Sequence, residues 1–130
     1  MAGRLRAILD TSVLIGADTD LLPDGSAISA ATLAELHFGV HMSGSDGRRK
    51  SRLQRLAQIE SSFEAVPIDE QVARSYGSLA HRVMVSGRNP RGLTMDVLIA
   101  ATAQAHAVPL LTRDERDFAA FADEVEVRVI

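Results

Sequence analysis

A single acidic residue stands between two apolar runs near the start of the chain. Residues 6–16 read RAILDTSVLIG, and in this stretch Asp10 separates the apolar residues 7–9 from the apolar residues 13–15. A charged carboxylate buried without a partner is energetically costly, so a proton, a cationic side chain, a helix N-terminus or a metal ion must offset that cost. We interpret Asp10 as a metal ligand at the end of a buried strand.

Short apolar segments alternate with segments of helical periodicity along the rest of the chain. The patterns predict strands over residues 4–9, 27–29, 64–68, 109–112 and 125–130, with helices over 13–17, 30–40, 48–63, 70–86, 95–106 and part of 113–121. Strands that alternate with helices form βαβ units with parallel strands. We therefore predict an α/β fold, a single three-layer α/β/α domain with a central, mostly parallel sheet of about five strands.

The same patterns predict where helices begin and which side chains enter the core. We expect Ser29 or Thr32 to cap the second helix, Asp69 to cap the helix over 70–86, and Thr94 to cap the helix over 95–106. Among the larger apolar side chains, we expect a core position for Met42, Met84 and Met95. The basic face of residues 48–55 is expected to face solvent.

Length and composition indicate one soluble domain over residues 1–130. A chain of 130 residues can bury one good core, and cysteine is absent, which excludes disulfides and thiolate metal sites. The net charge of −3 counts against a pure nucleic-acid binder, which usually carries a basic excess. No apolar stretch approaches the roughly 18–20 residues that span a bilayer. We expect a cytoplasmic protein without a membrane partner.

Three acids are predicted to meet at one edge of the sheet. Ligands of parallel sheets bind beyond the carboxyl ends of the strands. Asp10 directly follows the first strand, and Asp114 lies two residues beyond the fourth. Asp96 lies in the first turn of the helix that leads into the fourth strand, and such a helix begins at the same edge. The topology therefore predicts that the three carboxylates converge.

Glu35 is the fourth candidate acid. It shares a helical stripe with Ala31 and Phe38 that is expected to be buried, and it lies roughly 8–9 Å along its helix, from where its side chain can reach back to the strand ends. Four converging carboxylates would repel one another and raise their pKa values, and a divalent cation removes that conflict. Oxygen ligands favour Mg²⁺ or Mn²⁺ over zinc. Each acid taken alone also fits a turn, a helix cap or an ion pair.

Four segments of the chain resemble one known family. In order, they are ILDTSVLI, AELHFGV, TMDVLIAATA and LLTRDERDF, and together they resemble the PIN-domain ribonucleases, above all the VapC toxins of bacterial toxin–antitoxin pairs. The resemblance covers almost the whole chain. It implies a PIN-like fold and a Mg²⁺- or Mn²⁺-dependent endoribonuclease, with a cognate antitoxin as partner and a homodimeric assembly.

The resemblance also implies roles for individual residues. The acids that bind metal in the family correspond to Asp10, Glu35, Asp96 and Asp114. Ser12 and Thr112 occupy positions whose hydroxyls support the acids, and Asp117 occupies the position of an accessory acid, three residues beyond Asp114. These carboxylates would hold one or two metal ions that activate a water, and that water would attack an RNA phosphodiester.

Cationic side chains are expected to hold the RNA backbone near these acids. Arg113 and Arg116 flank Asp114, and Arg88 and Arg91 lie on the loop before the helix of Asp96. Exposed loop arginines are often merely solvated, so this assignment depends on where the loops lie in the fold.

Two other functions remain open at this stage. A different Mg²⁺-dependent phosphohydrolase, such as a phosphatase of the haloacid dehalogenase type, also has an aspartate after its first strand, but it needs a second aspartate where this chain has Ser12. A catalytically inactive RNA- or protein-binding module with the same fold is the other alternative. Metal-dependent turnover would separate an enzyme from the inactive binding module.

Overall fold

Five short parallel strands and the helices between them form the described part of the molecule. The computed structural model describes residues 4–15 and 22–130. In chain order the main elements are β1 (Ala7–Leu9), α1 (Thr11–Leu14), β2 (Ser26–Ser29), α2 (Ala30–His41), α3 (Asp46–Ser62), β3 (Ala65–Val66), α4 (Glu70–Val85), α5 (Thr94–Ala105), β4 (Leu110–Thr112) and β5 (Val127–Val129). Short 3₁₀ helices cover Pro90–Leu93 and Glu115–Phe121.

The strands form one sheet in the order β3-β2-β1-β4-β5, and every pairing is parallel. This confirms the predicted α/β class and the predicted parallel sheet. The central strand is β1, in which Leu9 lies opposite Ile28 on one side and Leu111 on the other. Parallel pairing places the carboxyl ends of β1 and β4 at the same edge of the sheet.

The two faces of the sheet bury separate groups of apolar side chains. Successive residues of a strand point to opposite faces, so Ile8 packs on one face while Ala7 and Leu9 pack on the other. On the face of Ile8 lie α4 and α5, which contact each other and contribute Leu79 and Val97 to the same buried cluster. Buried residues of α5 occur almost all round the helix because it lies between the sheet and α4.

The helix starts agree with the sequence in two cases and differ in a third. Ser29 Oγ accepts a hydrogen bond from the Ala31 amide at 3.1 Å, and Asp69 Oδ1 accepts one from the Val72 amide at 3.0 Å. The prediction that Thr94 caps α5 is wrong: Thr94 is the first helical residue, and its hydroxyl donates to the Arg91 carbonyl at 3.0 Å. The preceding 3₁₀ turn joins directly onto α5 and occupies the place of the cap.

Several apolar side chains that were expected in the core lie at the surface. The exposed fractions are 66% for Phe38, 65% for Met42, 57% for Met84 and 37% for Met95. In α2 the buried residues are Ala31, Thr32 and Val40, and Phe38 lies about 200° round the helix from Val40 at 3.6 residues per turn. The predicted buried stripe through Phe38 is therefore wrong in its last turn.

Two further expectations concern the helix predicted over residues 13–17 and the absence of a membrane-spanning helix. The predicted helix over 13–17 starts earlier, at Thr11, and its predicted end, like part of the loop that follows, lies outside the described residues. Within residues 4–15 and 22–130, no helix combines the length and the apolar character that crossing a membrane requires.

Gly25 provides a test of how closely the turn before β2 packs on the first residues of the chain. Its φ is +81°, and an added Cβ would lie 2.7 Å from the Arg4 carbonyl oxygen. Gly25→Ala is expected to lower the free energy of unfolding by about 1–3 kcal/mol, because the substitution adds both backbone strain and a clash. Urea denaturation measures this loss.

Gly77→Ala is the matched control for that measurement. Gly77 lies inside α4, where an added Cβ meets nothing within 4 Å. The alanine is expected to stabilise the protein by about 0.5–1 kcal/mol through helix propensity. Equal stability of Gly25→Ala and wild type would show that the turn relaxes without cost.

Candidate active site

The carboxyl ends of β1 and β4 bring acidic side chains from four parts of the chain together. Asp10 directly follows β1, Asp114 lies two residues beyond β4, Asp96 lies in the first turn of α5, and Glu35 lies in the middle of α2. The charges of Asp10, Glu35, Asp114 and Asp117 all act on the Asp96 carboxyl. The structure therefore places every predicted acid in one cluster.

Asp10 is the most deeply buried member of the cluster, with an exposed fraction of 4%. Its Oδ2 accepts a hydrogen bond from the Ser12 hydroxyl at 2.7 Å and another from the Thr112 hydroxyl at 2.8 Å. Hydrogen bonds to the charged form of a carboxylate offset the cost of removing it from water. The two residues expected to support the acids therefore hold Asp10 directly.

The same two hydroxyls are themselves oriented by the backbone after β4. The Arg113 amide donates to Ser12 Oγ at 3.1 Å, and the Asp114 amide donates to Thr112 Oγ1 at 3.0 Å. Each hydroxyl thus accepts from the backbone and donates to Asp10, which makes the ends of β1 and β4 one hydrogen-bonded unit. This unit also sets the position from which Asp114 extends.

Glu35 has a partner that the sequence analysis did not identify. The Thr11 hydroxyl donates to Glu35 Oε1 at 3.0 Å. Burial and the charge of Asp10 raise the pKa of Glu35 above its ordinary value, while the Thr11 hydrogen bond opposes that rise. Thr11 stands beside Asp10 in the sequence, but only the helical turn of α1 shows that it faces α2.

The pKa of Asp96 shows the effect of bringing these acids together. Burial, followed by the charges of Asp117, Asp10, Glu35 and Asp114, raises the pKa of Asp96 from 3.8 to about 7. Burial disfavours the charged form of Asp96, and each neighbouring negative charge disfavours it further. The cluster therefore holds a proton near neutral pH in the absence of a compensating cation.

Asp117 lies at the margin of the cluster. Its pKa is raised above the ordinary value by burial and by the charges of Asp114 and Asp10, and a contact with the Asp114 side chain adds to the rise. The positive charge of Arg88 acts in the opposite direction. This contact places Asp117 beside Asp114, and a supporting role for Asp117 stays a prediction.

The donor set suits a hard divalent cation that shares its ligands with water. The converging atoms are carboxylate and hydroxyl oxygens, which Mg²⁺ and Mn²⁺ prefer. Within residues 4–15 and 22–130, no three acidic or histidine side chains lie close enough together to enclose a metal ion by themselves. Mg²⁺ usually keeps several waters and binds one or two carboxylates together with substrate phosphate, so an open arrangement fits it better than a closed protein cage.

The predicted RNA-binding arginines lie around the same edge and are exposed. Arg91 borders a cavity of about 240 Å³ that Glu35 and Asp96 also line. Arg88 donates to the Arg116 carbonyl at 3.4 Å, which ties the loop before α5 to the turn after Asp114. Arg113 and Arg116 contribute backbone amides to Ser12 and Asp114.

One residue of the basic face of α3, Arg55, does not face solvent as expected. Arg55 is half-buried and donates a hydrogen bond to the Leu14 carbonyl at the end of α1, while Arg52 donates to the Gly39 carbonyl of α2 at 2.6 Å. The reason is tertiary, because α3 packs back against α2 and turns these two arginines towards it. The other basic residues of this face, Arg48, Arg49, Lys50 and Arg52, are exposed as expected.

Comparison with known proteins gives concordant results for sequence and structure. The PIN-domain family model matches residues 7–124. The chain is 38% identical to "Ribonuclease VapC5" of Mycobacterium tuberculosis over 95% of this chain and 93% of that protein. It is 37% identical to "Ribonuclease VapC4" of the same organism over 96% of this chain and 97% of that protein.

Solved structures show the same fold over nearly the whole chain. A chain of the VapBC-5 toxin–antitoxin complex from Mycobacterium tuberculosis superposes with a TM-score of 0.79 at 38% identity, covering 95% of this chain and 97% of that one. A chain of the FitAcB structure from Neisseria gonorrhoeae superposes with a TM-score of 0.74 at 31% identity, covering 93% and 95%.

The raised pKa of Asp96 predicts a pH-dependent loss of stability in metal-free protein. Because the folded-state pKa of about 7 exceeds the ordinary value of 3.8, the neutral carboxyl contributes stability that is fully present below pH 3.8 and is lost as the pH rises through about 7. Urea unfolding in EDTA at about pH 5 and about pH 8 measures the loss.

Asp96→Asn is expected to reduce this loss, because the amide carries no charge at either pH. Asp123→Asn, at an exposed position beyond the 3₁₀ helix Glu115–Phe121, is the control and should lose as much stability as wild type. An Asp96→Asn variant with the wild-type pH dependence would contradict the raised pKa.

Proposed function

The chain belongs to the PIN-domain family and, within it, to the VapC ribonucleases, and we propose that it is a Mg²⁺- or Mn²⁺-dependent endoribonuclease that acts as the toxin of a toxin–antitoxin pair. The observation that supports metal dependence is the convergence of Asp10, Glu35, Asp96 and Asp114 at the strand ends. A cluster of this charge is stable near neutral pH only with bound protons or a bound cation.

In the proposed reaction, residues of this chain would hold the carboxylates in place and supply the negative charge of the metal site. Asp10 is held in one orientation by Ser12 and Thr112, and both of its hydrogen bonds go to Oδ2. We assign the carboxylates of Asp10, Glu35, Asp96 and Asp114 to the proposed metal site, each as a direct ligand or through a bound water. A bound divalent ion would supply a water of lowered pKa and would stabilise negative charge on the phosphate.

Proton release should accompany metal binding at this site. Carboxylates must be deprotonated to act as ligands, and the raised pKa values of Asp96 and Glu35 mean that a proton competes with the metal near neutral pH. We therefore expect the affinity for Mg²⁺ to increase as the pH rises through about 7.

The exposed arginines around the cluster are proposed to bind the RNA backbone. Phosphate groups approaching a cluster of acids meet repulsion, which neighbouring cations reduce. Arg91 borders the cavity that Glu35 and Asp96 line, and Arg88 contacts the Arg116 carbonyl in the turn after Asp114. This placement supports a path for the RNA that crosses the carboxyl edge of the sheet.

We further propose a cognate antitoxin and a second copy of the chain as partners. The related structures named VapBC and FitAcB contain chains of this fold, and the first is described as a member of a toxin–antitoxin family. Ile15, Phe38 and Met42 are exposed apolar residues, with exposed fractions of 69%, 66% and 65%. Such side chains are suited to protein interfaces.

The phosphatase alternative has no support in the site. Ser12, at the position where a haloacid dehalogenase-type enzyme needs its second aspartate, instead donates its proton to Asp10. An inactive binding module would not need four converging acids.

Substitution of the acids provides the direct test of this function. Asp10→Asn and Asp96→Asn are each expected to lower cleavage of a single-stranded RNA by about 100-fold or more, because each removes a charged ligand while keeping its shape. Rates are measured with end-labelled RNA in Mg²⁺, and EDTA should abolish wild-type cleavage. Asp123→Asn is the control with wild-type activity. Cleavage that resists both EDTA and these substitutions would refute the proposal.

Salt dependence tests the role of the loop arginines. The double substitution of Arg88 and Arg91 by alanine should weaken RNA binding and reduce the slope of log Kd against log salt by about 1.4, the value for two phosphate contacts to a single strand. Fluorescence anisotropy measures the slope. Replacing Arg49 and Lys50 by alanine, on the exposed face of α3, removes the same charge as a control. Equal slopes for the two double variants would show that Arg88 and Arg91 have no special contact with RNA.

A further inference from the structure

The first two residues of α1 connect the end of β1 to two different neighbours. Ser12 donates to Asp10 and accepts from the Arg113 amide, so its hydroxyl faces the β4 side of the site. The Thr11 hydroxyl instead donates to Glu35 Oε1 of α2 at 3.0 Å. Successive residues of a helix point in directions about 100° apart, so neighbouring hydroxyls can reach different elements. Thr11 thus links the end of β1 to the helix that carries Glu35.

Open space lies beside the Glu35 side chain on two sides. Glu35 lines a groove of about 530 Å³ between α2 and α3, and it also lines the cavity of about 240 Å³ that it shares with Asp96. A glutamate has three rotatable side-chain bonds, and fixing them costs conformational entropy. Packing alone therefore does not hold this carboxylate in one direction, and a specific partner is needed.

Charge repulsion acts against the position that Glu35 occupies. The negative charges of Asp10 and Asp96 both interact unfavourably with the Glu35 carboxylate, which favours rotamers that point away from the cluster. Within residues 4–15 and 22–130, no cationic side chain forms an ion pair with Glu35, and the Thr11 hydroxyl is its hydrogen-bond donor. The Thr11 contact is therefore what holds the carboxylate beside the other acids.

The surroundings of Thr11 make it a firm donor. Thr11 is the first residue of α1, and the next turn of that helix is anchored in the core by Val13 and Leu14, whose exposed fractions are 0% and 1%. The hydroxyl oxygen of the buried Thr32 lies 3.4 Å from Thr11 Oγ1. A donor on a fixed element can orient a flexible acceptor, as hydrogen-bond partners of metal ligands do in general.

We propose that Thr11 is a positioning residue, which holds the Glu35 carboxylate towards the acid cluster so that it is ready to bind a divalent cation there. The inference rests on the proposed metal-dependent function and adds to it the group that completes the α2 side of the site. Removing a partner that orients a metal ligand typically lowers metal affinity or activity by about 10- to 100-fold.

Replacing the Thr11 hydroxyl tests this role without removing any carboxylate. Thr11→Val keeps the branched shape of the side chain but lacks the donor, whereas Thr11→Ser keeps the donor. When metal-free protein is titrated with Mn²⁺, Thr11→Val should raise the Kd by at least about tenfold, and Thr11→Ser should stay within about threefold of wild type. The electron paramagnetic resonance signal of free Mn²⁺ measures this binding without RNA or turnover.

Thr102→Val is the matched control for an effect on stability alone. The buried Thr102 hydroxyl donates to Ser29 Oγ at 3.0 Å, so valine removes a buried hydrogen bond there too. Thr102 lies beyond Asp96 in α5, about 9 Å further along the helix axis at 1.5 Å per residue. Thermal unfolding should show a lowered Tm for Thr102→Val, whereas its Mn²⁺ affinity should equal that of wild type.

A double-substitution cycle shows whether Thr11 acts through Glu35. Glu35→Ala removes the acceptor and should itself weaken Mn²⁺ binding. In that background Thr11→Val has no carboxylate left to position, so it should change the Kd by less than about twofold. Cleavage kinetics give a further measurement, because at low Mg²⁺ Thr11→Val should lower kcat more than it changes the KM for RNA.

The outcomes separate the role of Thr11 from the proposed function. If wild type binds Mn²⁺ and Thr11→Val binds it equally well, the positioning role is refuted and the metal-dependent function stands. The positioning role is also refuted if Thr11→Ser loses as much affinity as Thr11→Val, or if the loss persists in the Glu35→Ala background. If wild type binds no Mn²⁺ and cleaves RNA in EDTA, the metal-dependent function fails, and the role of Thr11 fails with it.

Discussion

The Asp10 carboxylate and the two hydroxyl groups that hold it form the contact on which the candidate site depends. Asp10 ends the central strand, where burial would be costly without partners, and Ser12 and Thr112 supply those partners from both sides of the β1–β4 pairing. Because backbone amides after β4 in turn orient the hydroxyls, the strand that carries Asp114 is fastened to the strand that carries Asp10. The hydrogen bonds around the buried Asp10 thus help to fix the position of Asp114.

Repulsion among the acids links the stability of the folded state to the proposed metal-dependent function. Burial and the charges of four neighbouring carboxyl groups raise the pKa of Asp96 to about 7. Without a cation such a cluster weakens the folded state at neutral pH, and the proposed divalent cation would turn the same charges into a binding site. The Thr11 hydrogen bond to Glu35 acts in favour of the charged form that a metal requires.

Most of the architecture follows from local patterns, and the exceptions have physical causes. Alternating apolar and helical segments predicted the parallel sheet, and the position of each acid relative to its strand predicted the convergence of Asp10, Asp96 and Asp114. The exposed Phe38 was predicted to be buried because periodicity defines a stripe but not the direction in which a helix leans on its neighbours. Arg55 was predicted to face solvent for the same reason, since only the packing of α3 on α2 turns it inwards.

By itself, the order of residues determined the fold class, the family resemblance and the set of acids, because these depend on spacing along the chain and on rules that all parallel sheets obey. Only the tertiary structure decided that Thr11 supports Glu35, that burial and neighbouring charges raise the pKa of Asp96 to about 7, and that an open groove lies beside Glu35. These features depend on angles and distances of a few ångströms between segments far apart in sequence, and spacing along the chain does not specify such distances.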